Sequence, residues 1–151
     1  MGKVRKFAKI QPTIWKSQKF RSASPAAKLL GMYMLTAPYY CMVGIYELPR
    51  FFMQKDTGLS LGDLDSALSE LIELDFCKYD DDTEVVWVVD MALSQIADRN
   101  LSPNQMTGVI NELSRLYLDC EYPFVNEFLE KYKTAYPQLP GIADLYWDTN
   151  A

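Results

Sequence analysis

The sequence predicts a mainly helical protein of the α+β class with one small β-hairpin. Apolar residues recur at helical spacing over 25–36, 61–74 and 103–120. Two runs rich in β-branched and aromatic residues, FCKY and EVVWVVD, flank the turn sequence DDDT, and a further short strand, GIYEL, precedes them. The predicted order up to Asp90 is helix, strand, helix, helix, hairpin. This is the order of a winged helix-turn-helix, followed here by a helical C-terminal extension.

Capping residues mark the predicted helix boundaries. Ser24 before Pro25 starts the first long helix, because the hydroxyl can accept from a free amide and proline at the first helical position loses no bond. Pro49 and Gly58 bracket a helix of about two turns. Ser102 opens the first long helix of the extension, and Pro123 is expected to open the next helix.

Several apolar residues are expected in the core. On the first long helix, the face expected to be buried consists of Ala26, Leu29, Leu30, Tyr33, Met34 and Ala37. Trp15, in a loop flanked by Lys16 and Lys19, is interpreted as a core residue in preference to a base-stacking platform, and Trp87 as a core residue in a strand covered on both sides. The three cysteines are expected to be buried free thiols: Cys41, Cys77 and Cys120.

Length predicts one domain, or one compact domain with a helical appendage. Because the pattern becomes helical after Asp90, we expect a winged-helix domain with its basic arm at residues 1–90 and a helical extension packed on it at residues 91–151. With 151 residues and 49% apolar content, the chain can build a core without disulfides. It has no apolar run of 18 residues, and its N-terminus MGKVRKFAKI lacks the apolar region of a secretory signal. We therefore expect no membrane association and an intracellular protein.

The residue types argue against catalysis. The sequence has no histidine and no glycine-rich phosphate loop, and its carboxylates fall on predicted exposed helix faces. The run Asp80–Asp82 is interpreted as a solvated turn, since a calcium loop needs a glycine turn and more residues. We expect neither an enzyme nor a metal ion or other cofactor.

Charge is distributed unevenly along the chain. Residues 1–46 hold eight Lys or Arg and no Asp or Glu, whereas residues 47–151 hold seven basic and 20 acidic residues. The net charges are thus +8 and −13. A basic arm, extended or in an edge strand, could contact an anionic partner, or it could fold back and neutralise the acidic body. The sequence leaves both alternatives open.

The candidate nucleic-acid contacts are cationic residues of this arm and of the first motif helix: Lys3, Arg5, Lys6, Lys9, Lys16, Lys19, Arg21, Arg50 and Lys55. In an ordinary winged helix the second motif helix enters the major groove. Here that helix carries exposed carboxylates, Glu70 and Glu73 among them, and no cation between Asp56 and Asp75. The usual docking is therefore disfavoured, and the arm is expected to contact phosphates without reading sequence.

Four segments resemble a known family: AKIQPTIWKS, SPAAKLLGMYMLTAP, GIYELP and DTGLSLGDLDSALSELIELDFCKYDDDTEVVWV. They are similar to the N-terminal winged-helix domain of phage replication-initiation and replisome-organiser proteins, a group related to the DnaD-like primosomal proteins. A weaker similarity continues through GVINELSRLY and FVNEFLEKYKTAYP, so it covers roughly residues 7–137.

The resemblance implies a part in starting DNA replication in the cytoplasm of a bacterial host cell. Proteins of this family bind origin or single-stranded DNA, form homo-oligomers and help to recruit a helicase or its loader. The alternative is an acidic winged-helix interaction module that does not bind DNA. Such a module would serve in oligomerisation, as an adaptor or as an inhibitor of a host protein.

Overall fold

Residues 6–39 and 41–145 are described by a computed structural model of the chain. Lys3 and Arg5 of the predicted arm lie outside the described residues. Within the described ranges the chain is mainly helical and contains one small antiparallel sheet. This confirms the predicted α+β class.

Seven α-helices and three strands are assigned among the described residues. The helices are α1 Gln18–Ser22, α2 Pro25–Thr36, α3 Arg50–Thr57, α4 Leu61–Glu73, α5 Met91–Gln95, α6 Pro103–Ser114 and α7 Val125–Tyr132. The strands are β1 Ile45–Glu47, β2 Cys77–Asp80 and β3 Val85–Val88. A 3₁₀ turn, Pro12–Lys16, precedes α1, and a π-helical turn, Arg115–Asp119, continues α6.

The sheet has the order β1-β3-β2, and both pairings are antiparallel. Trp87 of the central strand pairs with Ile45 on one side and with Lys78 on the other. All four residues of β3 are buried, which confirms that this strand is covered on both faces. Trp87 is a core residue, as predicted.

The predicted caps are present. Ser24 Oγ accepts a hydrogen bond from the Ala27 N–H at 3.1 Å, and Ser102 forms a complete capping box with Gln105. Gly58 ends α3 in the left-handed conformation, with φ 76°. These short-range signals set the helix boundaries because each acts within one turn.

The buried face of α2 differs from the predicted one. Leu29 is 45% exposed, and the buried residues are centred on Ala27, Leu30 and Met34. The rings of Phe20 and Phe76 lie so close to Gly31 that a Cβ there would be 3.1 Å and 3.3 Å from them. The side of α2 that carries the small residues Ala27 and Gly31 therefore packs against these rings, and Leu29 faces solvent.

Other predictions about single residues were wrong. Trp15 is half exposed instead of buried, and Cys120 is only partly buried. The last long helix begins at Val125, not at Pro123, because Phe124 adopts a left-handed backbone conformation with φ 79°. Residues 6–11 contain no strand, so the edge-strand alternative for this part of the arm is excluded.

The C-terminal helices pack against the sheet and α5 through a ladder of aromatic rings. Phe128 stacks on Tyr132 with centroids 4.4 Å apart, and Tyr132 stacks on Tyr136 at 5.2 Å. The Tyr132 hydroxyl donates to the Val89 carbonyl at 2.7 Å. Residues before and after Asp90 thus share one hydrophobic core. The division into 1–90 and 91–151 stays a prediction.

Among the described residues, no helix combines the length and the apolar character needed to cross a membrane.

Candidate nucleic-acid interface

The N-terminal part of the described chain, residues 6–22, lies against the body; we call it the basic segment. The Gln95 side chain donates to the Lys9 carbonyl at 2.7 Å and accepts from the Lys9 N–H at 3.4 Å. Ile10 and Ile14 are partly buried and pack against the core. The backbone of the segment is therefore held in place, while its cationic side chains are exposed: Lys6, Lys9, Lys16, Lys19 and Arg21.

Aromatic packing fixes the outer part of the basic segment. Phe20 of α1 is 4% exposed and stacks on Phe76 with ring centroids 5.8 Å apart. Trp15 packs against Phe20 in a T-shaped arrangement at 5.3 Å, with an interplanar angle of 63°. Ser17 Oγ caps α1 by accepting from the Phe20 N–H at 3.3 Å. Phe20, and not Trp15, is therefore the aromatic residue by which this segment is anchored in the protein interior.

The cations of the basic segment are only weakly neutralised. Lys19 Nζ lies 4.0 Å from Asp75, and both side chains are more than half exposed, so the pair contributes little. Within the described ranges, no ion pair involves Lys6, Lys9, Lys16 or Arg21. The described part of the arm thus folds back onto the body, yet it leaves most of its positive charge available.

The inner side of the basic segment lines two cavities. A cavity of about 210 Å³ lies between the segment and β3, and an adjoining one of about 350 Å³ lies beside Lys19 and Lys131. Asp90 lines both cavities and pairs with Lys131 at 3.3 Å, and Asp75 lines the second. Lys9 also lines the first cavity, and Lys19 and Lys131 line the second, so each cavity has as many cationic as anionic side chains. The exposed cations that form no ion pair with described residues are the better candidates for phosphate contacts.

Arg50, which the sequence predicts as a nucleic-acid contact, is already paired with two carboxylates. Its guanidinium lies 2.9 Å from Asp65 of α4 and 2.5 Å from Asp81 of the β2–β3 turn, over the ring of Tyr79. Partial burial acts to lower the Arg50 pKa, but the hydrogen bond with Asp81 and the nearby carboxylates raise it overall. Lys55, the other predicted contact on α3, is exposed.

Helix α4 presents fewer free carboxylates than the sequence indicated. Asp63 and Glu73 are exposed, but Asp65 is paired with Arg50. Glu70 accepts hydrogen bonds from the Ser24 N–H at 2.7 Å and from the Ser24 hydroxyl at 2.6 Å. Glu70 therefore has a structural role, and the interpretation of Glu70 as a free surface carboxylate was wrong. No local motif signals this contact, since the two residues are 46 positions apart.

Among the described residues, no group of three or more His, Cys, Asp or Glu side chains is placed to hold a metal ion. Asp80 of the acidic turn instead accepts hydrogen bonds from the backbone and the hydroxyl of Thr83, at 2.9 Å and 2.5 Å. These bonds lower the Asp80 pKa, the hydroxyl contributing most.

Comparisons of the chain with models of protein families, with curated proteins and with solved structures found no match. The resemblance to phage replication-initiation proteins stays an expectation that rests on the residues quoted above.

Proposed function

We propose that this chain is a winged-helix protein of phage-type DNA replication initiation that binds DNA through its basic segment. One observation carries the proposal. Five exposed cationic side chains lie on a docked, ordered segment, and four of them form no ion pair with described residues. Phosphate contacts supply most of the affinity of sequence-independent DNA binding, and they need cations that are not already neutralised.

The element order supports the winged-helix assignment. Helices α2, α3 and α4 with strands β1, β2 and β3 follow one another as α2-β1-α3-α4-β2-β3, and β1 adds to the outer side of β3. Only Gly58, Leu59 and Ser60 separate α3 from α4, which is the turn length of a helix-turn-helix. The β2–β3 hairpin would then be the wing.

The charges favour binding through the basic segment over docking of α4 in a major groove. Asp63 and Glu73 remain exposed on α4, and the hairpin turn adds the exposed Asp82 and Glu84. Arg50, which could offset them, is already paired with two carboxylates. An α4 helix placed against a duplex would bring uncompensated negative charge toward the phosphates.

The part in replication initiation follows from the resemblance, as do the proposed partners. These are a helicase or its loader, and further copies of the same chain. The protein would hold DNA with one face and present the remaining surface to the replication machinery.

A second candidate is an interaction module that does not bind DNA. It is favoured by two exposed apolar residues near the acidic surface: Phe51 is 66% exposed and Leu61 is 55% exposed. Phe51 follows Arg50 on α3, and Leu61 lies one turn before Asp65 on α4, so each is close along its helix to one member of the Arg50–Asp65 ion pair. Exposed apolar side chains among carboxylates fit a basic protein partner.

The deciding experiment measures DNA affinity over a range of salt concentrations. The variant Lys6→Ala/Lys9→Ala/Lys16→Ala is compared with Lys78→Ala/Arg99→Ala/Lys133→Ala, which changes the net charge equally by removing three exposed cations outside the basic segment. We expect the first variant to lose affinity and to reduce the salt slope by about 2–3 in log–log units. We expect the second variant to keep the affinity and the salt slope of the wild type. If the two variants lost affinity equally, the basic segment would not be the DNA contact. If the wild type did not bind DNA even at low salt, the interaction module would be favoured.

A further inference from the structure

Trp15 is placed unusually for a tryptophan in a small domain. Its side chain is 50% exposed, although tryptophan is highly buried on average. It is followed directly by Lys16, and Phe7, another aromatic residue of the basic segment, is 76% exposed. Exposed aromatic rings thus alternate with exposed cations along this segment.

The packing of Trp15 on buried aromatic rings holds its side chain in one position. Its ring packs on Phe20, which is 4% exposed and stacks in turn on Phe76. On the far side of these two rings, Gly31 of α2 leaves no spare room, since a Cβ there would be 3.1 Å from Phe20. A ring held in this way loses little conformational entropy when a planar ligand stacks on its open part.

The chemistry of such a surface matches unpaired bases. Every base has a π face that can stack on an aromatic side chain, while lysines beside it neutralise the phosphates. In a duplex the same faces are already stacked on neighbouring base pairs, so an aromatic ring on the protein surface cannot reach them. Phosphate contacts alone would not distinguish the two forms.

We infer that Trp15 is a base-stacking residue and that the basic segment binds single-stranded DNA in preference to duplex DNA. The strand lies on the outer surface, across Trp15 and Lys16, because both side chains are exposed there and Lys16 forms no ion pair with described residues. The inference rests on the proposed function, since it requires the basic segment to contact DNA. It adds the form of DNA that is preferred and the residue that sets the preference.

The test compares the affinity of labelled oligothymidylate of about 15 nucleotides with that of a duplex of equal length, by fluorescence anisotropy. Trp15→Ala removes the ring, and Trp15→Phe keeps a smaller one. Trp15→Leu keeps an apolar contact to Phe20 without a π face, in case the alanine variant disturbs the fold. Phe51→Ala is the matched control, because Phe51 is at least as exposed but lies on α3, outside the basic segment.

Wild-type protein should bind the single strand more tightly than the duplex. Trp15→Ala and Trp15→Leu should lose about tenfold in single-strand affinity and stay within about twofold for the duplex. Trp15→Phe should keep most of the affinity, and Phe51→Ala all of it. In a Trp147→Phe background, which leaves only Trp15 and Trp87, tryptophan emission should be quenched by oligothymidylate when Trp15 is present and not in Trp15→Phe, since Trp87 is buried.

Two negative results have different meanings. If the wild type binds neither form of DNA, the proposed function fails and the inference fails with it. If it binds DNA through the lysines, but the Trp15 variants behave as the wild type or weaken both forms equally, the stacking role is refuted and the proposed function stands.

Discussion

Ser24 and Glu70 join the start of α2 to the last turn of α4. The Ser24 hydroxyl donates to Glu70 at 2.6 Å and accepts from the Ala27 N–H at 3.1 Å, while the Ser24 N–H donates to the second carboxylate oxygen at 2.7 Å. The carboxylate thus orients the hydroxyl that caps α2. Because α2 and α4 pack closely on each other, this contact also fixes how the two helices meet.

Replacement of Glu70 by lysine should destabilise the fold. It removes both acceptors and leaves the Ser24 hydroxyl without its orienting partner, so we expect a loss of about 1–2 kcal/mol in the free energy of unfolding. Glu73→Lys, on the exposed side of the same helix, should stay within about 0.5 kcal/mol. Urea denaturation of both variants measures the difference. A similar change in both would mean that the Ser24–Glu70 contact does not contribute.

The same contact predicts a dependence of stability on pH. Hydrogen bonds from the Ser24 hydroxyl and then from its backbone N–H lower the Glu70 pKa. A carboxyl group with a lowered folded-state pKa stabilises fully above its unfolded pKa, about 4.3, and this contribution is lost as the pH falls through the folded-state value. The stability advantage of the wild type over Glu70→Gln should therefore be larger at pH 7 than at pH 3. An advantage independent of pH would exclude the ionised carboxylate as its source.

Arg50 should contribute less to DNA binding than Lys16. Its guanidinium is already paired with Asp65 and Asp81, whereas Lys16 forms no ion pair with described residues. We expect Lys16→Ala to reduce DNA affinity severalfold and Arg50→Ala to change it by less than about twofold. Mobility-shift titrations at one low salt concentration provide the comparison. A larger effect of Arg50→Ala would place the DNA on the α3–α4 side of the molecule.

The features that could be predicted from the sequence are those that depend on neighbours along the chain. Ser102 and Gln105 lie within one helical turn, and Gly58 ends α3 by its own backbone freedom, so local patterns suffice. The exposure of Lys6, Lys9 and Lys16 follows from the cost of burying an ammonium group.

The features that could not be predicted depend on residues distant in sequence. Arg50 is neutralised because α4 and the hairpin turn each bring a carboxylate to it, which requires the assembled fold. Trp15 and Phe20 are both large and apolar, and the pattern does not say which one fills the space beside Phe76 and Gly31. In the structure the α1 helix turns Phe20 inward, and Trp15 is left at the surface.

The three cysteines should differ in reactivity. Burial raises the pKa of Cys41 and of Cys77 to about 12 each, and Cys41 also donates to the Ile45 carbonyl at 2.8 Å. Cys120 is partly exposed, with Arg115 Nη1 at 3.4 Å from its sulfur. At pH 8 the native protein should therefore show one fast thiol in a disulfide-exchange assay, and all three only after unfolding. Cys120→Ser should abolish the fast phase; Cys77→Ser should leave it unchanged.

Two glycines with the same backbone conformation should tolerate alanine differently. Gly44 has φ +82°, and a Cβ there would lie 2.8 Å from the Val88 carbonyl oxygen and 2.9 Å from the Met91 Cβ. Gly58 has φ +76° and nothing within 4 Å of such a Cβ. Both substitutions incur the left-handed penalty of about 1–2 kcal/mol, but only Gly44→Ala adds a clash with the backbone of the central strand.

We expect Gly58→Ala to cost about 1 kcal/mol and Gly44→Ala about 1–3 kcal/mol more, because the Val88 carbonyl cannot move without disturbing the sheet. Urea denaturation with unchanged m-values would show that the same transition is being compared. Equal costs would mean that β1 and the start of α5 separate readily. In that case the close approach of Gly44 to Val88 and Met91 would not help to fix the position of β1 on the sheet.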